Sequence, residues 1–249
     1  MNNPEMKSEV HHHVSLSKAP ILILFVRTLL FGFIQTLFIL IFSISWVESI
    51  PWWPIIAILS NIICYFLISF LAKRENKSYL DIIHFDKSKL IQDLKAVWWV
   101  LIIGGVVGGI GLNGVGFFMY GSFMPPDNII QPLPIWAAII GLILFPITNA
   151  LVEVPLYMGY CLSRLEVQFN SKILALILSS FFLAFQHITL PITINDYKFM
   201  IWHFVSMLPL AFVVGLVYLK IRRLVPIMIV HYIMDVLAII GLFMVSLDK

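Results

Sequence analysis

The sequence predicts an all-α protein: a polytopic membrane bundle of about seven transmembrane helices with its N-terminus in the cytoplasm. Three observations point there. The 249 residues are 61% hydrophobic and only 12% charged, too few charges to cover the surface of a soluble domain. The apolar residues fall into seven long continuous runs rather than alternating ones. The lysines and arginines gather in alternate connections. Only helices or closed barrels satisfy the backbone within lipid, and unbroken apolar runs specify helices.

The runs cover approximately 20–47, 52–72, 94–118, 134–163, 171–190, 199–219 and 224–246. Each can cross a hydrocarbon core of about 30 Å, which takes roughly 20 helical residues. The fourth holds Pro146 and Pro155, so a kink or split is expected there. Residues 1–19 form a polar cytoplasmic tail, and 20–249 form the bundle. The tail resembles no cleavable leader, because the apolar run after it is too long. Its His11, His12 and His13 are read as incidental. With the N-terminus inside, thirteen of the sixteen lysines and arginines lie in cytoplasmic segments and only Lys198 and Lys249 lie outside. Arg27 is left inside the first span.

The net charge of +3 gives nucleic-acid binding no electrostatic basis. The partners expected are the lipid bilayer and a membrane-associated peptide or protein. Cys64 and Cys161 both sit in apolar runs and read as packed thiols. In "GGVVGGIGLNG", Gly104 with Gly108 and Gly105 with Gly109 have the spacing that lets helix backbones approach closely. Asn113 is expected to hydrogen-bond between helices there. No internal repeat and no separate soluble domain is evident.

Ionisable groups at membrane depth are expensive, so each one is a candidate functional residue. Glu153 in "NALVEVPLYMGY", His187 in "LAFQHITLP", and His231 with Asp235 in "VHYIMD" stand out. His231 and Asp235 are four apart and share a helix face. Counted at 1.5 Å per residue from the cationic anchors, Glu153 lies about 16 Å deep, His187 about 22 Å, His231 about 12 Å and Asp235 about 18 Å. Four polar groups from three helices can thus meet in one layer. His203, near the outer end of the sixth run, reads as a hydrogen-bonded core residue. A carboxylate and an imidazole sharing a water can take its proton, and a second histidine can stabilise an oxyanion. Alternatively, Glu153, His187 and His231 are suitable ligands for a divalent metal such as Zn2+, which would lower the pKa of a bound water. Both routes lead to hydrolysis of an amide at the membrane.

These motifs, in this order, resemble those of the CPBP intramembrane proteases, the family that includes CAAX-processing Rce1-type enzymes and bacterial bacteriocin-immunity (Abi) proteins. The family's first motif is two adjacent glutamates, then an arginine four residues after the second, then glycine. "EVPLYMGY" matches at Glu153 and Gly159, with Val154 and Met158 replacing the second glutamate and the arginine. The second motif is a histidine preceded at four residues by phenylalanine; His187 fits, with Leu183 at the aromatic position. The third, a histidine followed at four by Asn or Asp, is matched by His231 and Asp235. The similarity covers roughly 134–246. It implies an intramembrane endopeptidase, with Glu153 and His187 activating water and His231 and Asp235 forming the oxyanion site. A bacterial cell membrane is the setting it suggests. The paired loss of Glu and Arg for Val and Met is a self-consistent apolar replacement. A catalytically degenerate scaffold or immunity protein is the alternative, and a proton-coupled transporter the more distant one.

Overall fold

A computed structural model describes residues 18–124, 126 and 129–248. The three histidines of the polar tail lie outside the described residues. Among the described residues, seven helical runs are long and apolar enough to cross a membrane. We label them α1 (Ala19–Phe42), α2 (Trp46–Arg74), α3 (Lys87–Tyr120), α4 (Ile135–Phe169), α5 (Lys172–Thr189), α6 (Tyr197–Ile221) and α7 (Val225–Leu247). No strand occurs among the described residues.

The first connection lies earlier than the apolar pattern suggested. Ser43 closes α1 in the left-handed conformation (φ 52°), and Ser45 with Glu48 forms a capping box that opens α2. The local S-x-x-E signal overrides the hydrophobicity of Ile44, Trp46 and Val47. The third helix begins seven residues before the expected 94. Its first turns are amphipathic, and Asp93 within them is buried in an ion pair with Arg223.

Helix α4 breaks where its prolines suggested. An α-helical half, Ile135–Ala150, ends in a turn at 151–152, and a π-helical segment, Pro155–Leu162, follows. Pro155 has no N–H to offer the Leu151 carbonyl. That carbonyl instead accepts the Tyr79 hydroxyl at 2.6 Å. Tyr79 is delivered by a one-turn helix, Tyr79–Ile82, which a Ser78–Asp81 capping box starts. Beyond the break, every residue from Val152 to Leu162 is buried. A helix apolar on all sides belongs at the centre of a bundle. Here α1, α5 and α6 surround this half of α4, while the outer half packs on α2 and α7.

The basic residues gather at one end of the bundle and pair there. Arg164 at the end of α4 binds Glu75 just beyond α2. Arg222, between α6 and α7, holds Glu166 in a two-point contact of 2.7 and 2.9 Å, and Arg223 holds Asp93. This end is the one expected to be cytoplasmic.

Cys64 and Cys161 are free and buried. Gly104 and Gly108 lie against Leu210 of α6 and Met234 of α7, so this pair does mediate a close helix approach. Gly105 faces open space, and Asn113 bonds only the Gly109 carbonyl of its own helix, at 2.8 Å. The expected interhelical bond from Asn113 is therefore absent: at an exposed position its amide has no neighbouring helix within reach and satisfies itself locally.

Gly111 makes the closest approach: a methyl group there would strike the Ser206 backbone carbonyl, which cannot rotate away. Gly111→Ala should therefore cost about 1–3 kcal/mol, read as a lowered thermal midpoint in detergent micelles. Gly105→Ala, facing open space, should show no loss.

Candidate active site

The break in α4 places two polar residues four apart, Asn149 just before it and Glu153 just after. Both are buried, at 4% exposure, among apolar neighbours. A carboxylate there requires a cation. Arg27, fully buried on α1, supplies it: its Nη2 donates to Glu153 Oε2 at 3.1 Å and to Asn149 Oδ1 at 2.8 Å. The guanidinium also lies over the Phe31 ring, 5.1 Å from its centroid. At the motif positions themselves, Val154 and Met158 are packed in the apolar core.

The other carboxylate oxygen faces α7. His231 Nε2 stands 3.5 Å from Glu153 Oε1, 3.3 Å from Asp235 Oδ2 and 3.0 Å from Asn149 Nδ2. The four-residue spacing does bring His231 and Asp235 to one face, with Asp235 close enough to orient the ring. Asn149 Nδ2 also donates to Asp235 Oδ2 at 3.1 Å, and Asn61 of α2 donates to Asn149 Oδ1 at 3.3 Å. Helices α1, α2, α4 and α7 are tied together through this one amide.

His187 occupies a 3-10 turn, Gln186–Thr189, at the end of α5. The turn is pinned to α1, because Thr189 Oγ1 donates to the Thr28 carbonyl at 3.1 Å, one residue from Arg27. Buried Gln186 fastens it to α4 by accepting the Tyr157 hydroxyl at 3.4 Å. His187 Nδ1 lies 3.1 Å from the Ala184 carbonyl. A carbonyl can only accept, so Nδ1 carries the proton and, in the neutral ring, Nε2 keeps its lone pair. His187 makes no direct contact with Glu153 but is close enough to feel its charge. The ring of His203 packs edge-on against His187, centroids 5.1 Å apart.

All four residues singled out in the sequence thus surround one buried region. Glu153 and Asp235 both lie within 3.5 Å of His231 Nε2, and His187 is close enough to feel the charge of Glu153. Two further members, Arg27 and Asn149, were missed. Arg27 was legible as a basic residue deep inside the first span, and Asn149 as a polar side chain one turn before Glu153. The metal alternative fares differently. Among the described residues no three His, Cys, Asp or Glu side chains converge on a common ligating point. Glu153 is engaged by Arg27 and His231, and His231 Nε2 meets an amide N–H.

Removing Arg27 would leave a buried charge unpaired. Arg27→Leu should destabilise the protein by about 3–5 kcal/mol. Arg27→Leu combined with Glu153→Leu should recover most of that loss, as measured by unfolding in micelles. Equal losses in the single and double variants would show that the two side chains are not coupled.

No curated protein and no solved structure matches the chain. A family model does, over residues 134–237: that of the type II CAAX prenyl endopeptidase Rce1-like proteins. The matched stretch runs from the start of α4 to the middle of α7 and carries Glu153, His187, His231 and Asp235. Through this segment the chain, which has seven helices long and apolar enough to cross a membrane among its described residues, is similar to the Rce1-like family.

Proposed function

We propose that this protein is an intramembrane endopeptidase that hydrolyses a peptide bond of a membrane-associated peptide or protein with an activated water. The observation that carries this reading is the tautomer of His187. Its Nδ1–H is committed to the Ala184 carbonyl, which leaves the Nε2 lone pair as a proton acceptor. Glu153, close enough for His187 to feel its charge, is the partner that orients a water between them.

In this mechanism the water donates one hydrogen bond to Glu153 and passes its other proton to His187 Nε2. The resulting hydroxide adds to the scissile carbonyl carbon. The oxyanion that forms is stabilised by an N–H of His231. Collapse of the tetrahedral intermediate breaks the C–N bond, and His187 returns its proton to the departing amine. Arg27 balances the charge of Glu153 throughout and takes no part in proton transfer. No step is routed through a metal.

The catalytic core lies within 134–246, and the preceding helices contribute Arg27 and the walls of the site. The basic end of the bundle faces the cytoplasm, in keeping with the charge asymmetry.

The test is a peptide-cleavage or complementation assay on wild type, Glu153→Gln and His187→Ala, each first shown to insert and fold. Both variants should lose at least about 100-fold in rate. A chelator should leave the wild-type rate unchanged. Full activity in both variants would remove the protease reading and leave a scaffold that retains these residues for packing.

A further inference from the structure

The amide of Asn149 is not free to choose its orientation. A guanidinium has donors only, so the Asn149 atom 2.8 Å from Arg27 Nη2 is its carbonyl oxygen. Asn61 Nδ2 donates to the same oxygen at 3.3 Å. The amide nitrogen must then point the other way, and both of its hydrogens find a target: Asp235 Oδ2 at 3.1 Å and His231 Nε2 at 3.0 Å.

This has a consequence for His231. An amide nitrogen is a donor, so Nε2 has to accept from it, and the ring proton of the neutral imidazole is placed on Nδ1. The competing influences are close. Glu153 Oε1 at 3.5 Å and Asp235 Oδ2 at 3.3 Å are both acceptors that would draw a proton onto Nε2. The other charged or titratable groups facing the ring are Arg27 on α1, which acts through Asn149, and His187 on α5. From α3 and α6 only aliphatic residues and a glycine reach this side, among them Val100, Gly104 and Leu210.

We propose that Asn149 is a positioning residue that holds His231 in the Nδ1–H tautomer. Arg27 fixes the amide, and the amide fixes the ring. Two results follow for the hydrolysis proposed above, on which the catalytic meaning of this inference rests. Glu153 Oε1 is kept out of a hydrogen bond with His231 and remains available to water. Nδ1–H becomes the donor that His231 offers to the developing oxyanion.

The tautomer can be read without any substrate. The full-length protein, labelled with 15N at histidine in detergent micelles, is examined by NMR at about pH 9, well above the ordinary imidazole pKa of about 6.5. His231 is assigned by the signals missing from His231→Gln. The wild-type ring should show the Nδ1–H pattern. In Asn149→Leu, where no amide opposes the two carboxylates, it should switch to Nε2–H. Adding Asp235→Asn to that variant offers a replacement amide and should restore Nδ1–H. An Nε2–H pattern in the wild type overturns the inference, whatever the variants do. An Nδ1–H pattern that persists in Asn149→Leu overturns it as well. Because no substrate is involved, such a failure is distinct from failure of the water-activation reading, which the Glu153→Gln assay decides.

Discussion

A carboxylate at membrane depth must be accompanied by a cation, and in this protein that requirement fixes where the helices sit. Glu153 and Arg27 lie on α4 and α1, 126 residues apart, and both are almost wholly removed from solvent. Taking either charge out of water alone costs several kcal/mol, so neither helix can settle in a register that separates them. Among the described residues, the other group paired with Glu153 is His231, which is a cation only when protonated. The ion pair therefore acts as a registry pin for the centre of the fold as well as the support of the candidate active site.

The geometry of α4 makes the pin usable. A straight helix through 135–169 would carry Asn149 and Glu153 on one face, but Pro155 cannot continue the hydrogen-bond ladder. The chain turns at 151–152 and resumes as a π-helix. The Tyr79 hydroxyl takes up the carbonyl that is left over. Irregular backbone at membrane depth survives only where protein covers it, and every residue from Val152 to Leu162 is covered. The same break gives the two oxygens of Glu153 different neighbours, Arg27 on one side and His231 on the other. His187 completes the arrangement from a short 3-10 turn, which Thr189 and Gln186 hold against α1 and α4.

Much of this was legible in the sequence because hydrophobic length and charge placement are strong signals in a membrane protein. Seven spans, the broken fourth helix, the packed cysteines and the meeting of Glu153, His187, His231 and Asp235 all follow from runs, prolines and depth counted at a fixed rise. Hydropathy failed where a local polar signal decided instead. The Ser45–Glu48 cap ends the first connection inside an apolar stretch, and the Asp93–Arg223 pair extends α3 into polar sequence. The reading of Asn113 failed because spacing says nothing of which face of α3 lacks a neighbour. Arg27 was visible but had no assigned partner, since pairing between α1 and α4 depends on tertiary packing. Asn149 was harder still: its importance lies in the orientation of its amide, which only the positions of Arg27, His231 and Asp235 reveal.

The central claim is that Glu153 stands as an ionised carboxylate beside Arg27, ready to receive a hydrogen bond from water. Infrared difference spectroscopy of wild type against Glu153→Gln in lipid at neutral pH tests it most directly, with no need for a substrate. The account predicts that the substitution removes the paired stretching bands of a carboxylate. Loss of the single carbonyl band of a neutral carboxylic acid would contradict it, because a protonated Glu153 would need no partner in Arg27 and could not accept a hydrogen bond as a carboxylate.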